Sequence, residues 1–230
     1  MHDLARYVDD VLTANEEGIA GCADVVVATG RAGGLVRPAG AGHSLAAVLE
    51  TFFRAGGLAF VRPLWSEDVL PLRGARASTT GERIPGRGRA VAEAAAITAD
   101  DTVVVFSNSG INPYPVEIAE VARDAGATVV AFTSRTATAA ATPRARHRLV
   151  DLADIVLDTL VPPGDVTWPA DAPVTSPVSS LATTALWTAV LRDVHDRWPD
   201  APRWRSANVP GTDADNAAVM DAFTSRIPEL

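Results

Sequence analysis

The chain has 230 residues, 47% of them hydrophobic and 21% charged, a composition typical of a globular domain with a sizeable core. Its formal net charge of −8 argues against a nucleic-acid surface, since phosphate backbones favour basic proteins, and its single cysteine cannot form an intrachain disulfide. The sequence contains no lysine, which excludes imine chemistry on a lysine amine, a pyridoxal-phosphate site and a P-loop.

Apolar residues recur at helical spacing near the N-terminus, and strands and helices then alternate along the chain. The predicted helices span residues 3–29, 45–54, 89–97, 113–125 and 180–194. The predicted strands are a short one that begins at Leu35, followed by residues 58–61, 103–106, 128–132 and 155–157. Turn formers and charges predict a long loop at 64–85, and the residues from 197 onward form a polar tail.

Strands separated by helices of this length form βαβ units, and right-handed crossovers then build a parallel sheet covered on both faces. We therefore expect a three-layer α/β/α sandwich. The simplest interpretation is a single domain over residues 1–230, with an N-terminal helical segment at 1–30 and a tail at 197–230 that packs on the domain or on a dimer partner. Neither a signal peptide nor a membrane-spanning stretch is recognisable, so we expect a cytoplasmic protein without a membrane partner.

Glycines and hydroxyl side chains follow several predicted strands at the point where each strand ends. Residues 40–44 are Gly-Ala-Gly-His-Ser, residues 107–112 are Ser-Asn-Ser-Gly-Ile-Asn, and residues 133–136 are Thr-Ser-Arg-Thr. Ligands bind outside the carboxyl ends of parallel strands, where helix N-termini present free N–H groups and a partial positive charge. The pattern therefore predicts an anionic ligand such as a phosphate.

Residues 104–110, Val-Val-Phe-Ser-Asn-Ser-Gly, resemble the strand and S-x-S-G turn of the sugar-isomerase (SIS) domain family. The stretch VVAFTS at 129–134 is similar to the next strand of that family, and residues 40–44 are similar to its first glycine–serine loop. More narrowly, the chain resembles single-domain phosphosugar-binding SIS proteins, with a P-x-G-D turn at 162–165 and a terminal S-A-N segment at 206–208. The resemblance covers nearly the whole chain.

This resemblance implies a five-stranded parallel sheet in flavodoxin-like order, a phosphorylated sugar as ligand, and a homodimer with pockets near the subunit interface. The positions that match the family's loops, or lie beside them, are the expected sugar-phosphate ligands: Gly42, Ser44, Ser107, Asn108, Ser109, Gly110, Asn112, Thr133 and Ser134. The apolar N-terminal segment and the helix at 180–194 also favour a dimer, because their apolar surface exceeds what one sheet face can cover.

The SIS family includes aldose–ketose isomerases, a sugar–lactate ether lyase and non-catalytic sensor domains, so the fold alone leaves the reaction open. An isomerase needs a base that removes the proton beside the carbonyl and a group that moves a proton between the oxygens. Glu50, on the helix after the first glycine loop, and Glu82, in the long loop, are the candidate bases. His43, at a helix start, is the candidate proton-handling partner.

The sequence offers no motif for a cofactor or a metal. No G-x-G-x-x-G follows a predicted strand, and four scattered histidines with one cysteine have no ligand spacing. The resemblance, together with these absences, implies a cofactor-independent phosphosugar isomerase. A phosphosugar etherase or lyase, and a non-catalytic phosphosugar sensor, are the alternatives.

Overall fold

A computed structural model describes residues 2–230; Met1, part of the predicted N-terminal segment and domain, lies outside the described residues. The helices of this part are α1 (His2–Ala14), α2 (Glu16–Ala32), α3 (Leu45–Thr51), α4 (Ala75–Gly81), α5 (Arg87–Ala94), α6 (Pro113–Asp124), α7 (Arg135–Ala140), α8 (Leu149–Leu152), α9 (Ser179–Arg197) and α10 (Asp213–Phe223). The strands are β1 (Val36–Gly40), β2 (Thr102–Phe106), β3 (Thr128–Thr133), β4 (Ile155–Asp158), β5 (Val166–Trp168) and β6 (Thr175–Pro177).

The first four strands form one parallel sheet in the order β1-β2-β3-β4. All residues of β1 and β2 are buried, as expected for strands that are covered on both faces. The register pairs Gly40 with Phe106 and Phe106 with Phe132, so that the last residues of neighbouring strands lie side by side. The loops that follow the strands therefore start at one edge of the sheet.

The regular sheet has four strands, so the prediction of five was wrong in number. Residues 58–64 do run parallel to β1, but they pair with it through isolated bridges at Val61 and Leu64 and not through a regular ladder. Arg62 and Leu64 donate their N–H groups to carbonyls of β1, and the N–H of Val36 donates to the carbonyl of Phe60. The next bond of the ladder would need an N–H on Pro38 of β1, which proline lacks. The segment nevertheless lies beside β1, where a flavodoxin-like order places its second strand.

Helices cover both faces of the sheet, which confirms the three-layer α/β/α sandwich. On one side α2 lies against β1, β2 and β4 and packs on α9, which also contacts α1 and α3. On the other side α6 lies against β1, β2 and β3 and packs on α5 and α8. The fully buried Val26 of α2 and Ile118 of α6 belong to the same hydrophobic core as the strands.

Some elements differ from those that the sequence predicted. The single N-terminal helix divides into α1 and α2 at Asn15, and the expected loop at 64–85 contains α4. The C-terminal region also holds more structure than expected, with the antiparallel pair β5 and β6 and with α10. Trp204 and Ile227 are buried, so the tail packs on the rest of the chain. No helix within residues 2–230 combines the length and the hydrophobicity that crossing a membrane requires.

The apolar side chains of α9 do not form the free surface that the sequence-based dimer argument assumed. Leu186, Trp187 and Val190 are buried in the core of this chain. Leu181, near the start of the helix, is 40% exposed. Packing of α9 on α2 accounts for this burial. A dimer must therefore be argued from other residues.

Candidate functional site

The carboxyl ends of the parallel strands and the first turn of α9 surround a cavity of about 200 Å³. Its walls combine hydroxyl, amide, imidazole and carboxylate groups with one aromatic ring. The lining residues are His43, Ser44, Ser107, Asn108, Phe132, Thr159, Asp165, Ser179, Ser180 and Thr183. Within the part of the chain that the structure describes, this lining includes no arginine, so neutral donors dominate the cavity.

The loop after β1 brings His43 and Ser44 to the cavity. This loop folds back on itself so closely that a Cβ at Gly40 would lie 2.9 Å from the backbone oxygen of Ser44. Glycine is therefore required at Gly40 for the turn. Gly42 has a φ of +59°, which also favours glycine, and it shapes the loop without lining the cavity.

The loop after β2 contributes Ser107 and Asn108. The hydroxyl oxygen of Ser107 accepts a hydrogen bond from the N–H of Gly110 at 3.3 Å, which leaves its O–H free to donate to a ligand. The Asn108 side-chain oxygen accepts from the Thr159 hydroxyl at 3.3 Å, a contact that joins the loops after β2 and β4. Ser109, in the same loop, is half-buried and does not line the cavity.

Thr133 and Ser134, two predicted ligands at the end of β3, are fully buried and use their hydroxyls within the protein. The Thr133 hydroxyl donates to the carbonyl of Asn108 at 3.2 Å. The Ser134 hydroxyl donates to the carbonyl of Val161 at 2.6 Å and accepts from the N–H of Ala137 at 3.0 Å. These two residues hold the loops in place and do not line the cavity.

Gly110 and Asn112, the remaining predicted ligands, also lie outside the cavity lining. Gly110 has a φ of +59°, and a Cβ there would meet the Leu149 side chain at 3.0 Å. The Asn112 side-chain oxygen accepts from Arg144 Nη1 at 2.9 Å. Of the nine predicted ligands, the structure thus brings Ser44, Ser107 and Asn108 together in the cavity.

Sequence reasoning missed six of the ten lining residues, namely Phe132, Thr159, Asp165 and the three hydroxyl residues of α9. The Pro-x-Gly-Asp turn was a signal for Asp165, since it follows a predicted strand. Two consecutive serines at the start of a long apolar helix were a weaker signal. The four lining residues that the sequence did predict, up to Asn108, are more than 70 residues earlier in the chain, so no local pattern could pair these serines with them.

Among the three candidate catalysts, His43 lines the cavity and the two glutamates do not. Glu50 lies on α3 in an ion pair with Arg54, with 2.9 Å between carboxylate and guanidinium. Both side chains are solvent-accessible, so the pair restrains Glu50 only weakly.

Glu82 follows α4 and is half-buried beside the loop after β2. Its backbone carbonyl accepts from the N–H of Tyr114 at 3.1 Å. Burial raises the pKa of the Glu82 carboxyl above its ordinary value, although a hydrogen bond with Asn112 and the charges of Arg83 and Arg144 act in the opposite direction. A carboxylate with a raised pKa is a stronger base than an ordinary glutamate.

No group of three or more His, Cys, Asp or Glu side chains within residues 2–230 is placed to hold a metal ion. The arrangement that the structure does show suits an oxygen-rich ligand. Hydroxyl and amide groups surround it, and an imidazole can donate or accept a proton at the same place.

The sequence of this chain is similar to those of known proteins. Residues 1–134 match the family model of the SIS domain. A UPF0309 protein of Brucella canis is 36% identical over 237 residues, which cover 98% of this chain and 98% of the relative.

Two solved structures have the same fold. Phosphoheptose isomerase GmhA from Neisseria gonorrhoeae superposes with a TM-score of 0.55 at 16% identity, covering 84% of this chain and 93% of that one. The sugar isomerase domain of an RpiR transcription factor from Sphaerobacter thermophilus superposes with a TM-score of 0.53 at 15% identity, covering 97% and 95%. The family model spans more than half of the chain, and the sequence relative is similar along nearly its whole length. The chain therefore belongs to the SIS domain family.

Proposed function

We propose that this chain binds a phosphorylated sugar and interconverts its aldose and ketose forms without a cofactor. The observation that carries the proposal is the cavity at the carboxyl ends of the parallel strands, with its lining of hydroxyl and amide groups. A sugar phosphate presents several hydroxyls and one compact anion, and neutral hydrogen-bond donors suit both. The shared fold with a phosphoheptose isomerase supports the same assignment.

The phosphate lies, in this proposal, between the loops after β1 and β2. Ser44 and Ser107 supply hydroxyl donors there, and Asn108 supplies an amide. The N–H of Gly110 already orients the Ser107 oxygen, so the hydroxyl is positioned before the ligand arrives. Ser109 and the other predicted ligands do not line the cavity of a single subunit. In this proposal they support the loop or contact the phosphate from outside that cavity.

His43 is the proposed proton-handling group, because its imidazole lines the cavity. Glu82 is the preferred base over Glu50, because burial raises its pKa while Glu50 is held in a solvent-accessible ion pair. Neither carboxylate lines the cavity of a single subunit. In the proposed isomerase, one of them therefore reaches the sugar from a second subunit.

A homodimer is accordingly part of the proposal. Large apolar side chains are exposed around a groove of about 440 Å³ beside α3. Leu49 is 69% exposed and Leu72 is 93% exposed. Apolar residues that are clustered in this way, and not scattered singly, are typical of an interface. We assign the groove to a second copy of this chain.

A non-catalytic phosphosugar sensor is the second candidate, because the fold is shared with the sugar isomerase domain of a transcription factor. An etherase or lyase would begin with the same proton abstraction and differ in its products. All three functions require the same ligand class, so binding must be tested first and turnover second.

The first measurement is the melting temperature of the protein with each member of a panel of aldose and ketose phosphates, since a ligand of the native state raises it. The second incubates the ligands so found in heavy water and follows products and deuterium at carbon 2 by NMR. An isomerase exchanges this proton at least partly with solvent, because the enediol intermediate leaves it on the base. Binding without turnover supports the sensor. Loss of the ether from a sugar phosphate that carries a lactyl ether, added to the panel, supports the etherase. Absence of binding by any sugar phosphate contradicts the whole proposal.

A further inference from the structure

Asp165 places a carboxylate in the wall of the cavity, at the start of α9. Its Oδ1 accepts from the N–H of Val178 at 3.0 Å and from the N–H of Ser179 at 2.8 Å. Its Oδ2 accepts from the Ser179 hydroxyl at 2.5 Å. The positive end of the α9 dipole is therefore already matched by a carboxylate of the protein itself.

The hydrogen-bond capacity of Asp165 is not exhausted by these contacts. A carboxylate has about four acceptor positions on its two oxygens, and the contacts with α9 occupy three of them. One position on Oδ2 remains for a donor. A hydroxyl or an ammonium group of a ligand can occupy it, whereas a second anion has no proton to donate and is repelled.

The backbone holds this carboxylate in place. The N–H of Asp165 donates to the carbonyl of Pro162 at 3.0 Å, which closes the Pro-x-Gly-Asp turn. Asp165 adopts a φ of +65°, a conformation that few non-glycine residues accept but that aspartate tolerates better than most. On the other side of the turn, the phenol of Tyr7 donates to the carbonyl of Thr159 at 2.7 Å. The pKa of that phenol is raised by burial first, and next by the negative charges of Asp165 and Asp158.

The residues that the strand-end loops and the α9 side bring to the cavity thus differ in charge. Ser44, Ser107 and Asn108 offer neutral donors without a carboxylate, while the α9 side carries Asp165. We propose that Asp165 determines which sugar phosphates the site accepts, admitting those whose end opposite the phosphate carries a hydroxyl or amino group and rejecting those that carry a second anion there. This inference rests on the proposed phosphosugar site and assigns to Asp165 a role in substrate selection.

Two open-chain probes isolate the effect. Sorbitol 6-phosphate and 6-phosphogluconate have the same length and the same phosphate, and they differ in a hydroxymethyl or a carboxylate at carbon 1. Two like charges within one small cavity, together with a lost hydrogen bond, predict a preference of at least about tenfold for sorbitol 6-phosphate. The dissociation constants of both probes are to be measured by isothermal titration calorimetry.

The informative variant is Asp165→Asn. Asparagine keeps the shape and an acceptor oxygen for the N–H groups of α9, and it removes the charge. We expect the preference to fall to within about threefold, mainly through tighter binding of 6-phosphogluconate. Asp158→Asn is the matched control, because Asp158 lies at the same edge of the sheet, loses the same charge and does not line the cavity. Its preference should equal that of the unmodified protein.

The outcomes separate this inference from the proposed function. Equal binding of the two probes by the unmodified protein, or a preference that Asp165→Asn leaves unchanged, overturns the selective role. A purely structural role of Asp165 predicts the second of these results, since damage to α9 weakens both probes alike. Ser107→Ala should weaken both probes and leave their ratio intact. If neither probe binds to any of these proteins, the proposed function fails and this inference fails with it.

Discussion

The side chain of Asn15 bonds to both backbone groups of Asp158, as a neighbouring strand would. Its Nδ2 donates to the Asp158 carbonyl at 2.8 Å, and its Oδ1 accepts from the Asp158 N–H at 2.7 Å. The same Nδ2 donates to the carbonyl of Val11 at 2.7 Å. This buried amide therefore links the junction of α1 and α2 to the end of β4, next to the turn that carries Asp165.

We expect Asn15→Ala to destabilise the protein by about 2–4 kcal/mol. The variant removes three hydrogen bonds and leaves buried backbone groups without a partner, and each such loss costs roughly 1 kcal/mol or more. Urea unfolding followed by circular dichroism measures the difference. Asn208→Ala, at an exposed asparagine, is the control and should change stability by less than about 0.5 kcal/mol. A cost for Asn15→Ala no larger than this would contradict the linking role.

The buried ion pair at the amino end of the sheet gives a second stability prediction. Arg37 Nη2 lies 3.1 Å from Asp101 Oδ2, and both side chains are almost fully buried. We expect Asp101→Asn to cost roughly 3 kcal/mol or more, because it leaves the guanidinium charge buried without a counter-charge. The double variant Arg37→Met/Asp101→Asn removes both charges and should be more stable than the single variant in urea unfolding. A double variant that is less stable than Asp101→Asn would show that the charge is not the cause.

Binding should depend on the Ser107 hydroxyl. Loss of a hydrogen bond to a charged group costs about 1–3 kcal/mol, so Ser107→Ala should weaken phosphosugar binding by roughly five- to 150-fold. Calorimetry with the ligand found in the melting-temperature panel is the measurement. Ser225→Ala, at an exposed serine of the tail, is the control. If the double variant Ser107→Ala/Ser109→Ala binds as well as the unmodified protein, the phosphate lies elsewhere.

For an isomerase, the identity of the base follows from two variants. Replacing the base by glutamine should lower kcat by about 10²- to 10⁴-fold. We expect this decrease in kcat with Glu82→Gln and not with Glu50→Gln. Glu93→Gln, at an exposed glutamate of α5, is the control. Unchanged kcat in both Glu50→Gln and Glu82→Gln would exclude a carboxylate base of this pair.

The pH dependence adds a check on Glu82. A base acts in its deprotonated form, so kcat falls as the pH drops through the pKa of the base. Because burial raises the pKa of Glu82, the acidic limb should lie at higher pH than an ordinary glutamate gives. An acidic limb at or below the ordinary glutamate pKa would speak against Glu82.

The proposed dimer can be tested with two variants of similar exposure. Light scattering at micromolar concentration should give the mass of a dimer for the unmodified protein. Leu49→Asp should give a monomer, because a carboxylate on the apolar groove cannot be buried without a partner. Val174, which is 78% exposed against 69% for Leu49, lies in the β5–β6 hairpin outside this groove, so Val174→Asp should remain a dimer. A monomer in the unmodified protein would contradict the interface.

Local sequence determined the parts of this protein in which chain neighbours decide the structure. The continuous apolar run Val103–Phe106 predicts a strand covered on both faces, and it is the buried centre of β2. The glycine–serine loops had to start where strands end, and the parallel topology then placed Ser44 and Ser107 at one edge of the sheet. These conclusions needed only the order of elements and the period of their apolar residues.

Tertiary packing decided the rest, because the groups concerned are distant in the chain or compete for the same partner. The hydroxyls of Thr133 and Ser134 satisfy buried carbonyls instead of a ligand, which no local pattern reveals. The fifth strand of the sheet is incomplete, because Pro38 in β1 has no N–H to donate to that segment and the parallel ladder is interrupted there. The α9 side of the cavity exists because the apolar face of α9 packs on α2. This packing places Ser179, with its hydrogen-bonded partner Asp165, at the ends of the strands. Burial of apolar surface between segments more than 140 residues apart thus set the chemistry of the α9 side of the cavity.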